Sequence, residues 1–168
     1  MSSIRSHLLK MLLKREIRKT SHLPFSQCRT LMDRQVRLFK NASGVSQSFE
    51  SVGGRDAQWL IPERAALDAA VLYLHGGAYV SGSIRSHRAL ASHIARASRV
   101  RVLLLDYRLA PEHPFPAAPD DAVAAFTWMQ SELGLQPDRI VIAGDSAGGG
   151  LSLATALRIR GSGQSLPP

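Results

Sequence analysis

The spacing of apolar positions changes near residue 45. Before it, apolar residues recur every three or four positions. Ile4, Leu8 and Leu12, and Leu9, Leu13 and Ile17, share one side, with Lys10, Lys14, Arg18 and Lys19 on the other. That spacing predicts a basic amphipathic helix over residues 4–19. Pro24 separates it from a second predicted helix, Phe25–Lys40, with Leu31, Val36 and Phe39 on its apolar side. Asn41–Gly44 reads as a turn.

After residue 45 the pattern alternates between strands and helices. Val45–Val52 and Ala57–Ile61 form a predicted hairpin with Gly53-Gly54-Arg55-Asp56 as its turn. Ala69–Leu74, Val100–Leu105 and Ile140–Ala143 are short, nearly continuous apolar runs, as expected of strands buried on both faces. Helices are predicted near Ser86–Ala97 and over Ala117–Leu133 and Ser146–Arg160. The loop Asp106–Pro116 holds Pro111, Pro114 and Pro116 and is not helical throughout. Alternation of this kind implies βαβ crossovers and a mainly parallel sheet flanked by helices, an α/β fold.

The 168 residues suit one domain, with 45% hydrophobic and 20% charged residues, ordinary globular usage. The net charge of +8 is local: residues 1–40 hold 10 Lys+Arg against 2 Asp+Glu, and the remainder is neutral. A neutral body argues against nucleic acid as a partner. The single cysteine, Cys28, excludes an internal disulfide and leans the localisation to the cytoplasm; Cys28 itself reads as a partly buried small residue. No apolar run reaches membrane-spanning length.

Two motifs carry chemistry. Gly144-Asp145-Ser146-Ala147-Gly148 fits G-x-S-x-G, in which a serine on a sharp strand-to-helix turn stands clear of the backbone. The helix that begins there aims its N-terminal amides at a developing oxyanion. Alone, the pattern arises by chance in about one chain of this length in twenty. Its position between a buried strand and a helix makes it specific. His75-Gly76-Gly77-Ala78-Tyr79 follows another buried strand and has the form of an oxyanion loop. The interval between the motifs holds two crossovers, so both sit at the carboxyl ends of parallel strands, where open α/β sheets bind ligands.

His75–Tyr79, Gly144–Gly149 and the long segment Asp106-Tyr107-Arg108-Leu109-Ala110-Pro111-Glu112-His113-Pro114-Phe115-Pro116-Ala117 together resemble the hormone-sensitive-lipase-like carboxylesterases, an α/β-hydrolase family. The resemblance covers roughly Ala69–Arg160. It implies an α/β-hydrolase fold over residues 45–168 and a helical cap segment over residues 1–44. It further implies Ser146 as nucleophile, an oxyanion hole supplied or shaped by Gly76, Gly77, Ala78 and Ala147, no metal or cofactor, and a small ester or lactone as substrate. Ala78 stands where the family often has glycine; with negative φ its amide remains available, and altered acyl preference is expected. Arg108, Glu112 and His75 read as structural. Asp145 is not expected to orient a catalytic histidine from inside the elbow.

In this fold the acid and the histidine of the triad follow the serine. No Asp, Glu or His follows Ser146 in this sequence. A serine without its base is a poor nucleophile, and loss of the base lowers kcat by about 10⁶ in a characterised protease. The expectation is therefore an incomplete chain, with the C-terminal strands missing and Ile140–Ala143 left as an apolar edge prone to self-association. The alternative is a catalytically inactive hydrolase-fold fragment acting as a binding or interaction protein. The helix over residues 4–19 packs as part of the cap or, alternatively, makes a weak membrane-surface contact.

Overall fold

The two-residue turn Gly53-Gly54 has φ of 58° and 75°, the left-handed pair that reverses a hairpin without splaying it. It joins β1 (Val45–Val52) to β2 (Arg55–Pro62), antiparallel with Val52 opposite Arg55. Two glycines suffice to reverse the chain, so Arg55 and Asp56, expected in the turn, already belong to the strand. The structure is a computed structural model and describes residues 6–8, 10–11, 14–15, 22–35, 39–163 and 165–166.

From β2 the chain runs through β3 (Ala66–Leu74), α2 (Ile84–Ser98), β4 (Val100–Leu105), α3 (Ala117–Ser131), a short 3-10 turn (Pro137–Arg139), β5 (Ile140–Gly144) and α4 (Ala147–Gly161). An earlier helix, α1, spans Phe25–Gln35. The sheet order is β1-β2-β4-β3-β5. β4, β3 and β5 are parallel, and the hairpin attaches antiparallel through β2 to β4. The sheet is therefore mixed, with a parallel core as the sequence implied.

Alternation along the parallel strands divides the core. Leu72, Leu74, Leu103 and Leu105 face Phe126 and Met129 of α3 and Leu151 and Ile159 of α4. Val71, Tyr73, Val102 and Leu104 face Ile84, Ala91 and Ala95 of α2. Every one of these residues is buried, and the result is three layers, helix on sheet on helix. α2 starts in a capping box, with Ser83 and Ser86 satisfying each other's backbone amides. Arg99, in the left-handed conformation, closes it.

Several boundaries differ from expectation. β3 begins at Ala66, three residues early, and α3 ends at Ser131. α4 excludes Ser146, whose φ of 50° is not helical. α1 is described over Phe25–Gln35; Phe39, expected on its apolar side, is in a bend and exposed, and Val36 lies outside the described residues. Of the helix expected over residues 4–19, residues 6–8, 10–11 and 14–15 are helical, and the rest lie outside the described residues. Among the described residues no helix is long and apolar enough to cross a membrane.

Candidate active site

The two motifs meet because β3 and β5 are neighbours in register, with Leu74 opposite Gly144. The oxyanion loop leaves the end of β3 where the elbow leaves the end of β5. Contact between them is close enough to dictate glycine. A Cβ on Gly148 would overlap the carbonyl oxygen of Leu74, one on Gly144 would overlap the same oxygen, and one on Gly76 would overlap the Asp145 carboxylate.

Ser146 is exposed and holds φ 50° and ψ −118°. A non-glycine residue in such a conformation stores about 1–3 kcal/mol, tolerated where surrounding structure fixes it. What fixes it here is a tight turn. Gly148 N–H donates to the Asp145 carbonyl (2.8 Å), and the amides of Gly149 and Gly150 donate to the Ser146 carbonyl (3.1 and 3.3 Å). The Ser146 hydroxyl bonds to none of the described residues.

Opposite the elbow, Gly77–Val80 forms a second tight turn. The amides of Val80 and Ser81 and the Ser81 hydroxyl donate to the Gly77 carbonyl at 3.1, 2.9 and 2.9 Å. Ala78 and Tyr79 have φ of 55° and 62°. Ala78 therefore does not meet the negative-φ condition set from the sequence. It occupies a left-handed position that glycine fills without strain. The Gly76 amide is committed to Asp145 Oδ1 at 3.1 Å, so Gly76 shapes the loop and is not a donor to a ligand. Among the described residues, the amides of Gly77, Ala78 and Ala147 donate to no protein group, and the last of these sits at the positive end of α4.

His75 is fully buried between Tyr107 (ring centroids 4.2 Å apart) and His87 (5.3 Å). Burial lowers its pKa to about 4, so the ring is neutral near pH 7. Its Nδ1 lies 2.9 Å from the Gly76 carbonyl, which only accepts, so Nδ1 carries the proton. The Tyr107 hydroxyl donates to the His75 carbonyl at 2.6 Å and ties the long proline-rich segment to the oxyanion loop. Burial also raises the Tyr107 pKa, which keeps the hydroxyl protonated. Arg108 grips the buried Asp121 through its amide (2.8 Å) and guanidinium (2.7 Å), and Glu112 pairs with Arg29 (2.7 Å). Both act as loop-fixing residues, as read from the sequence.

Two residues escaped the sequence reading, Tyr73 and Arg29, as did the contacts of Asp145. Asp145 Oδ1 lies 3.5 Å from Nε2 of His87, which has no catalytic role, and accepts from the Tyr73 hydroxyl at 3.0 Å. Burial and this bond raise the Tyr73 pKa. Arg29 of α1 donates to the carbonyls of Val80 (2.7 Å) and Ala110 (2.8 Å). The only signals were a carboxylate within the elbow and a tyrosine two positions before the histidine. A cavity of about 390 Å³ opens beside the site, lined by Tyr79, Ala110, Phe115, Leu151 and Ala154 among others.

A family model described as "alpha/beta hydrolase fold" matches residues 71–168. An acetyl-hydrolase of Streptomyces hygroscopicus is 44% identical over 139 residues, 83% of this chain and 46% of that protein. An ethyl acetate hydrolase of Pseudomonas putida is 49% identical over 96 residues, 55% of this chain and 30% of that protein. Among solved structures, an esterase of the bacterial hormone-sensitive lipase family aligns with TM-score 0.83 and 44% identity, covering 90% of this chain and 52% of that one. An esterase/lipase from an uncultured bacterium aligns with TM-score 0.84 and 42% identity, covering 94% and 54%. The chain spans about half the length, or less, of these relatives. Motifs, topology and these likenesses agree, and the chain belongs to the α/β-hydrolase fold family, on its hormone-sensitive-lipase-like branch.

Proposed function

We propose that these residues form the nucleophile and oxyanion half of a serine carboxylic-ester hydrolase. The observation that carries this is the juxtaposition, at the ends of the neighbouring strands β3 and β5, of a strained, exposed Ser146 with a turn whose Gly77 and Ala78 amides donate to none of the described residues. Ser146 Oγ attacks the ester carbonyl carbon. The carbonyl electron pair moves to its oxygen, which the amides of Gly77, Ala78 and Ala147 receive. The Ser146 proton passes to a base and from it to the leaving oxygen, so that collapse of the tetrahedral intermediate expels the alcohol and leaves an acyl-serine, which water hydrolyses to the acid.

The attack needs a base. His75 and His87 are both buried and engaged behind the loop, so neither is assigned that role. The base and its carboxylate belong to the part of the relatives' length that this chain does not span. Residues 1–44 act as a cap and residues 45–168 as the hydrolase body; the contacts of Arg29 with the loop that follows Gly77 support this division. The names of the two hydrolases above favour short acyl esters, and the modest cavity suits these or small lactones. A cytoplasmic location is in keeping with the single cysteine.

The test is hydrolysis of p-nitrophenyl acetate by the whole protein, with Ser146→Ala beside it. Hydrolysis that falls by about 10⁵-fold or more in Ser146→Ala is expected. Undiminished turnover in that variant would refute the assignment.

A further inference from the structure

Behind the oxyanion loop runs a chain of polar side chains that the hydrolysis itself does not use. It starts on α1, where the Ser83 hydroxyl donates to Asp33 Oδ1 at 2.6 Å. Ser83 is the first residue of the capping box of α2, and its partner Ser86 lies 3.4 Å away, oxygen to oxygen. The Ser86 hydroxyl reaches His87 Nδ1 at 2.8 Å. The other ring nitrogen of His87 faces Asp145 Oδ1 at 3.5 Å. That same carboxylate oxygen takes the Gly76 amide. Ser86 and His87 are buried, so water does not compete freely for these contacts.

We propose that this chain makes α1 part of the oxyanion machinery, with Asp33, His87 and Asp145 as positioning residues that hold the Gly76 peptide and, through it, the Gly77 and Ala78 amides. Asp145 has one fixed backbone, in the elbow, and Gly76 has no room to move toward it, since even a methyl there would overlap the carboxylate. The orientation of the carboxylate therefore sets the tilt of the peptide that leads into the hole. The Tyr73 hydroxyl (3.0 Å) and His87 (3.5 Å) together fix that orientation, and the capping box passes the position of α1 to His87. Arg29 makes a separate link to Val80 that bypasses His87.

The test reads the Gly76 amide by hydrogen exchange in labelled protein, normalised to the Leu72 amide in the core. Asp33→Ala and Ser86→Ala are each expected to speed Gly76 exchange about fivefold, and together no more than Ser86→Ala alone, because the chain is then already cut. Asp145→Ala is expected to produce the largest change. Multiplying effects of Asp33→Ala and Ser86→Ala, or no change at Gly76 in either, would overturn the proposal. In kinetic assays, which rest on the esterase reading, the same variants lower kcat by about tenfold with KM within about twofold. A change confined to KM would also overturn it. Should the wild-type protein hydrolyse no ester, the esterase reading fails and the exchange measurement still decides this one.

Discussion

At Gly148 the nucleophile elbow and the end of β3 approach so closely that hydrogen is the only side chain that fits. Gly148→Ala drives a methyl into the Leu74 and His75 carbonyls. Both are backbone, so no rotamer change relieves the clash. A loss of about 3 kcal/mol in urea denaturation is expected, together with loss of activity, since both loops must part. Gly161, where a methyl meets nothing, is the control. His75 carries a pH prediction. Its imidazole titrates near 6.5 in the unfolded chain and at about 4 when folded. The unfolded chain takes up the proton first, so the stability associated with a neutral His75 is whole above about pH 6.5 and drains away as pH falls toward 4, by about 3 kcal/mol at most. Denaturation at about pH 7 and about pH 4.5 should show a wild-type loss that His75→Gln reduces. Residues of this kind divide in legibility. Ser146 and its glycines were readable because the turn is local and needs fixed residue types. The Gly76–Asp145 bond was not, since it spans 69 residues and involves a donor that every residue possesses. The positive φ of Ala78 was also hidden, because alanine gives no sign of a left-handed backbone.

At the scale of elements, the apolar runs of β3, β4 and β5 were readable because burial on both faces leaves little choice of residue. Their ends were less so, because exposed residues such as Leu67 continue a strand without a hydrophobic reason. Leu72 lies mid-strand in the middle of the parallel trio, and Leu72→Ala is expected to lose about 2–5 kcal/mol of stability. α1 depends on different forces. Its attachment runs through Arg29, which bonds two carbonyls and the Glu112 carboxylate at once. Arg29→Met removes all of these while keeping the aliphatic stem. Tryptic cleavage at Arg34 should accelerate about tenfold while the core amides stay protected. Unchanged cleavage would show that Arg29 is not what holds α1, leaving its apolar side and the Asp33–Ser83 bond. Nothing in the helical spacing of residues 25–35 announced this arginine, because its partners lie on two distant loops.

For the whole molecule, one flank stands out. β5 is an edge strand, and Val141 upon it is exposed. On the neighbouring α4, Leu153 and Leu157 are exposed while Leu151 and Ile159 are buried, so this helix is apolar on both sides. An apolar helix side beside an open strand edge is a template for association. The 168-residue chain is expected to sediment as dimers and larger species at tens of micromolar, and the pair Leu153→Glu and Leu157→Glu should shift it toward monomer. A monomeric wild-type chain at that concentration would refute this.

The strand order has a consequence for synthesis. β3, which carries the oxyanion loop, stands between β4 and β5, and β5 leaves the ribosome roughly 70 residues after β3, about 4–14 s later at ordinary translation speed. Until β5 emerges, the side of β3 that it covers is vacant, and the serine does not yet exist. β5 must therefore add to an edge that has been waiting, and its arrival brings the nucleophile to the oxyanion loop in the same step that pairs the strand.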